Sequence, residues 1–114
     1  MDYNNKDYPE NSALILTMAG YAWLTLRQDF AKVIVTEMTG SSYLMFDDQV
    51  DIKELAFINV EDKGRSWSHP NVTVQQMWVK DWTSEKKLSF SGRVNSVDIQ
   101  HFSNGKINFD ICPK

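Results

Sequence analysis

The sequence predicts a mainly β domain, built as a small antiparallel β-sandwich or open barrel of about 7 to 9 short strands. Apolar and polar residues alternate with period two, most clearly over residues 88–111. The runs 33–38, 42–46 and 55–60 are rich in β-branched and aromatic residues and are separated by turn residues. A chain of 114 residues that is 42% hydrophobic can bury a core without disulfides, which fits its single cysteine.

The N-terminal residues 1–12 are predicted to form a flexible tail, and residues 13–114 a single β-rich domain. The tail is polar and contains Pro9. Neither a repeated motif nor a low-complexity segment is evident, so the sequence gives no reason to divide the remainder.

Residues 13–32 have two interpretations. The favoured one is a hairpin with strands Leu14–Met18 and Ala22–Arg27, because Gly20 and the threonines of this segment weaken a helix. The alternative is a buried helix, which would make the fold α+β. Residues 72–82 also have two interpretations, a strand or a short helix.

The C-terminal third predicts an antiparallel meander of three strands. Residues 103–105 would form a three-residue turn that places Ile99 opposite Phe109 and keeps like side chains on one face. In this register His101 points inward at the edge of the core. The longest loop is predicted at residues 63–71, which are polar and rich in turn-forming residues.

The net charge of −3 excludes a broad cationic field, which disfavours nucleic acid and anionic membranes as partners. Acidic residues concentrate instead in one strip, where they could attract a basic protein. A calcium site is disfavoured because no glycine follows the carboxylates as in an EF-hand loop, and a turn explains them better. The strip consists of Asp47, Asp48, Asp51 and Glu54.

No catalytic, metal or cofactor site is predicted. The two histidines, His69 and His101, have neither a partner at a ligand spacing nor a nucleophile motif near them. Cys112 follows the last predicted strand and is expected to be structural.

Exposed tryptophans beside cationic side chains are the strongest functional signal. Trp67 lies in the predicted polar loop, and such a mixture of indole and charge is typical of binding hot spots. The predicted binding residues outside the acidic strip are Arg65, Trp67, His69, Trp78, Lys80 and Trp82.

These features predict a non-enzymatic domain that binds another protein, with a basic partner favoured, such as an inhibitor that acts by covering its target. The alternative is a β-sandwich that binds a glycan or small ligand through exposed tryptophans. The expected location is the cytoplasm or the interior of a host cell, because the N-terminus lacks the basic start of a signal peptide. A secreted or periplasmic protein whose signal peptide has been removed is the alternative.

Overall fold

The computed structural model describes Pro9 and residues 11–47, 49–86, 88–101 and 107–111, the last of these as backbone only. The described residues form β-strands and no helix, which confirms a mainly β chain. The strands are β1 (Ala13–Met18), β2 (Trp23–Leu26), β3 (Phe30–Met38), β4 (Tyr43–Phe46), β5 (Asp51–Val60), β6 (Arg65–Ser68), β7 (Thr73–Trp82), β8 (Leu88–Ile99) and β9 (Ile107–Ile111).

The strands wind as a β-solenoid in which every described pairing is parallel. The long-strand sheet runs β1–β3–β5–β7 and ends on the C-terminal part of β8, and the short-strand sheet runs β2–β4–β6 to the N-terminal part of β8. β9 pairs with both parts of β8, through residues 107–109 with its N-terminal part and through residues 110 and 111 with its C-terminal part. Each coil therefore contributes one long and one short strand.

The predicted antiparallel sandwich or barrel is wrong, and so is the helical alternative for residues 13–32. Strands β1 and β2 cover nearly the same residues as the two predicted hairpin strands. They do not pair with each other as in a hairpin, because β1 pairs with β3 and β2 with β4. The reason is that period-two alternation arises in parallel and antiparallel strands alike, whereas the pairing depends on which distant segment supplies the neighbour.

Further element predictions need correction. The strand interpretation of residues 72–82 is confirmed by β7, while the predicted loop 63–71 contains β6. The C-terminal meander is absent, because the first two predicted strands merge into β8 and β9 runs parallel to it. Phe109 consequently pairs with Phe90 and not with Ile99. The predicted turn at residues 103–105 lies outside the described residues.

The core consists of ladders in which one apolar side chain stacks on the equivalent side chain of the next coil. Hydrogen-bonded neighbours in adjacent strands lie about 4.8 Å apart, so each ladder excludes water along its length. Partners lie 22 residues apart in the central coils and 20 in several outer pairings, as hydrogen bonds across these separations show. Typical ladders are Phe30–Ile52–Val74–Val94 and Val35–Phe57–Val79.

This period is an internal repeat, which corrects the expectation that the sequence contains no repeated motif. Members of one ladder are chemically similar but rarely identical, as in Met38, Val60 and Trp82. A stack requires only that each side chain be apolar and of compatible size, so the repeat conserves hydrophobicity and not residue identity.

A close corner in β8 connects the two sheets. The N–H of Gly92 donates a hydrogen bond of 3.0 Å to the buried Oγ of Ser68. A Cβ atom at Gly92 would lie 2.2 Å from the carbonyl oxygen of Val72, which itself accepts a 2.8 Å hydrogen bond from the N–H of Arg93. Only glycine allows the neighbouring coil to approach this closely.

Candidate functional site

The outer surface of the short-strand sheet carries a column of three stacked side chains. Trp23, Tyr43 and Arg65 occupy equivalent positions in β2, β4 and β6. The rings of Trp23 and Tyr43 meet edge to face with centroids 6.3 Å apart, and the Arg65 guanidinium carbon lies 4.2 Å from the Tyr43 ring centroid. The parallel register brings these side chains together, because each strand places its outward residue beside that of the next coil.

A second column lies beside the first. Met45 and Trp67 are register neighbours in β4 and β6, and both are half-buried. The indole of Trp67 packs edge to face against the imidazole of His69, with ring centroids 6.4 Å apart. The N–H of Asn71 donates to Nδ1 of His69 at 3.1 Å, which anchors this imidazole to the following turn.

These two columns form a surface that is apolar and nearly uncharged, which we call the aromatic face. Among the outward positions of β2, β4 and β6, only Arg65 carries a charge. At its edge, Arg27 and Asp47 form an ion pair of 3.4 Å between partly exposed side chains. The aromatic face comprises Trp23, Thr25, Tyr43, Met45, Arg65, Trp67 and the adjacent His69.

The predicted binding residues are divided among three places. Arg65, Trp67 and His69 lie on the aromatic face, whereas Trp78 and Lys80 lie on the outer surface of the long-strand sheet. Trp82 lies in the core with 0% of its surface exposed, where its Nε1 donates to the Lys86 carbonyl at 3.0 Å.

The predicted acidic strip lies where the short strands turn into the long ones. Asp47 faces Arg27, and Glu54 faces Lys32 at 3.9 Å, so both carboxylates have a cation beside them. The side chain of Asp51 is exposed at the start of β5. Asp48 lies outside the described residues.

His101 does not occupy the predicted inward position. It is exposed, adopts a left-handed backbone with φ of 52°, and its Nδ1 lies 3.1 Å from an Asp81 oxygen. Merging the predicted strands into β8 ends the alternation at Ile99, so the inward register no longer applies. No group of three or more His, Cys, Asp or Glu side chains in the described part of the chain is arranged to hold a metal ion.

Four residues of the aromatic face were not among the predicted binding residues, namely Trp23, Thr25, Tyr43 and Met45. They belong to the predicted hairpin strand 22–27 and to the predicted strand 42–46, and nothing in the sequence placed these two segments beside Arg65 and Trp67. The signal that could have found them is the solenoid period, because Tyr43 pairs with Arg65 and Met45 with Trp67 at the separation of the core ladders.

Comparison of the chain with protein-family models, with curated proteins and with solved structures returned no match. Within residues 11–47, 49–86 and 88–101, no helix has the length and apolar character needed to cross a membrane.

Proposed function

We propose that this chain is a protein-binding module whose contact surface is the aromatic face. The observation that carries the proposal is the stacked column of Trp23, Tyr43 and Arg65, with Met45 and Trp67 beside it. Tryptophan, tyrosine, methionine and arginine are enriched at the centres of protein interfaces, where aspartate, glutamate and lysine are depleted. The outward positions of β2, β4 and β6 have this composition.

The contacts within the face favour tight binding. Tyr43 is held between Trp23 and Arg65, and Trp67 is held against His69, so these side chains lose little rotamer freedom when a partner covers them. The strands beneath them are paired to neighbouring coils, which keeps the backbone of β4 and β6 in place. A preordered surface of large rings is the usual anchor of a hot spot.

The size of the face indicates what a partner must contact. A strand of four residues spans about 13 Å, so the face alone is smaller than the roughly 800 Å² that a stable interface buries on each partner. A partner would therefore also reach the rim, where Asp47 and Asp51 lie. Carboxylates at the rim favour a basic partner and would mainly accelerate its association. Covering the partner's own site in this way would suit an inhibitor.

The central experiment compares partner capture by three forms of the full chain. Replacing Trp23 and Trp67 with alanine should weaken binding about 30-fold for each anchor lost. The matched control is Trp78→Ala, which removes the same side chain from the other sheet and should leave capture unchanged. Proteins retained by wild type and by the control but lost by the double variant identify the partner. Equal capture by all three forms would contradict the proposal.

A second experiment tests the rim. Replacing Asp47 and Asp51 with lysine should slow association with the identified partner several-fold at low salt and less at high salt. Stopped-flow measurement of the association rate provides the readout. An unchanged rate at low salt would mean that the partner is not guided by these carboxylates.

A further inference from the structure

The outer surface of the long-strand sheet contains a hollow that is separate from the aromatic face. Its volume is about 300 Å³, at the lower end of the range of pockets that hold small molecules. It has an aromatic wall, an apolar floor and three polar side chains around it. Its principal lining residues are Ala56, Ile58, Trp78, Lys80, Asp98 and Gln100.

The hollow exists because a small residue interrupts an outward ladder. Ile34, Ala56 and Trp78 are register neighbours in β3, β5 and β7, so the alanine methyl lies between two large side chains. Asp98 continues this column in β8 as the neighbour of Trp78. Ala56 has 7% of its surface exposed and forms the floor of the hollow, and the strand spacing of about 4.8 Å limits the space beside the indole to one flat ring.

Two opposite charges flank the hollow without neutralising each other. In the described part of the chain, neither Lys80 nor Asp98 forms an ion pair. The neighbouring pair of Lys32 and Glu54 on the same sheet does so, at 3.9 Å. The donors of Lys80 and the acceptors of Asp98 therefore remain available to a ligand, as does the amide of Gln100.

From this arrangement we infer that the hollow binds an uncharged sugar ring, in the form of a pyranose unit of a glycan. One face of a pyranose presents polarised C–H groups, which are attracted to the electron-rich face of an indole such as that of Trp78. Each hydroxyl can both donate and accept, so it suits an acceptor such as Asp98 and a donor such as Lys80. A ligand with net charge gains less, because one of the two flanking charges repels it.

The test is a titration of the isotope-labelled full chain, followed through its amide and indole N–H signals. The probes are methyl β-glucoside, methyl α-mannoside and N-acetylglucosamine. For a ligand of this size we expect a dissociation constant of about 1 mM or weaker. The Trp78 indole and the amides of residues 56–58, 78–80 and 98–100 should shift, while the Trp67 indole should not.

Two variants locate the site. Trp78→Ala removes the platform, and Ala56→Leu fills the hollow while leaving both charges in place; each should weaken binding about tenfold or more. Trp67→Ala is the control on the other sheet and should bind sugar normally, which separates this site from the aromatic face. The buried Trp82 indole signal reports whether each variant is folded.

Three outcomes would overturn the inference. One is the absence of any shift at Trp78 with all three sugars up to their solubility limits. Another is an equal response in folded Ala56→Leu. The third is a response to free amino acids such as glycine and leucine but not to sugars, which would assign the hollow to a zwitterion. None of these results bears on partner capture by the aromatic face, so the two proposals fail independently.

Discussion

The two sheets of the solenoid place their small residues on opposite sides. In the short-strand sheet the interruption lies inside, where Ser68 sits between Phe46 and Phe90 in a core ladder. In the long-strand sheet it lies outside, where Ala56 sits between Ile34 and Trp78. The inner gap is closed, because the rings of Phe46 and Phe90 meet with centroids 6.0 Å apart. The outer gap remains as the hollow.

This difference shows that a small residue between two large neighbours in a ladder has different consequences in the core and at the surface. A void in the core forfeits dispersion contacts, so neighbouring side chains close over a small residue. At the surface water fills the space, and no comparable force draws the side chains together. A small residue on the outside of a solenoid can therefore leave a hollow that its neighbours do not close.

The largest expected effect is a difference in stability between alanine variants of the two tryptophans of β7. Trp82→Ala should lower the free energy of unfolding by about 3 to 5 kcal/mol, because it empties a fully buried site packed against Phe57. Trp78→Ala, in the same strand but facing outward, should change it by less than about 1 kcal/mol. Urea unfolding measures both. Similar losses for the two variants would show that Trp78 supports the fold as well.

The next largest effect is expected when leucine is introduced at the closed inner gap, at Ser68, and is compared with leucine at the open outer gap, at Ala56. Ser68→Leu should destabilise the protein by about 3 kcal/mol, because the leucine must fit between Phe46 and Phe90 and the N–H of Gly92 loses its acceptor. Ala56→Leu adds the same side chain to the outer gap and should change stability by less than about 1 kcal/mol. Thermal unfolding monitored by circular dichroism provides the comparison. Equal tolerance of leucine at both positions would refute the distinction.

A smaller effect concerns the corner where β8 passes from one sheet to the other. Gly92→Ala should lower stability by about 2 to 3 kcal/mol, because the added methyl would displace the Val72 carbonyl. The control is Gly20→Ala, where the backbone φ is +67° but no atom lies within 4 Å of the new Cβ. Its cost should be limited to about 1 to 2 kcal/mol from the left-handed backbone. Chemical denaturation distinguishes the two, and a larger loss at Gly20 would contradict the close approach at Gly92.

The smallest effect tests whether the aromatic face is held together by its own contacts. A double-mutant cycle with Arg65→Gln and Tyr43→Leu should give a coupling energy of about 0.5 to 1 kcal/mol. The matched cycle uses Lys80→Gln and Trp78→Leu, for which the described residues show no cation–π contact. Its coupling should be near zero. Equal coupling in both cycles would mean that the two faces do not differ in preorganisation.

Much of the local structure follows from the sequence. The β-branched and aromatic residues within 33–38 and 55–60 predict strands that the structure contains within β3 and β5. The pairing does not follow from them, since Val35 lies next to Phe57 because of a coil period that hydrophobic similarity conceals. An antiparallel arrangement accommodates the same strands, so only the long-range register excludes it.

The candidate site follows from the sequence only in part. Arg65, Trp67 and His69 are close in sequence, and alternate residues of a strand share a face, so their grouping depends on local geometry alone. Trp23 and Tyr43 reach the same face through pairing with other coils. Trp78 and Trp82 are four residues apart, yet one faces outward and the other lies in the core. Near Trp82 the strict alternation of inward and outward side chains fails, and no local sequence pattern predicts this failure.

The sequence by itself determined that the chain is rich in β-strands, where most of these strands lie, and that its indoles stand beside cationic groups. These properties depend on backbone preferences and on side-chain spacing within one strand, which act over a few residues. Only the tertiary structure decided that the strands are parallel, that the predicted binding residues separate onto two sheets, and that Ala56 lies in a hollow. Those outcomes depend on which side chain of the next coil packs against each residue. The free energy of this packing is gained only when neighbouring coils assemble.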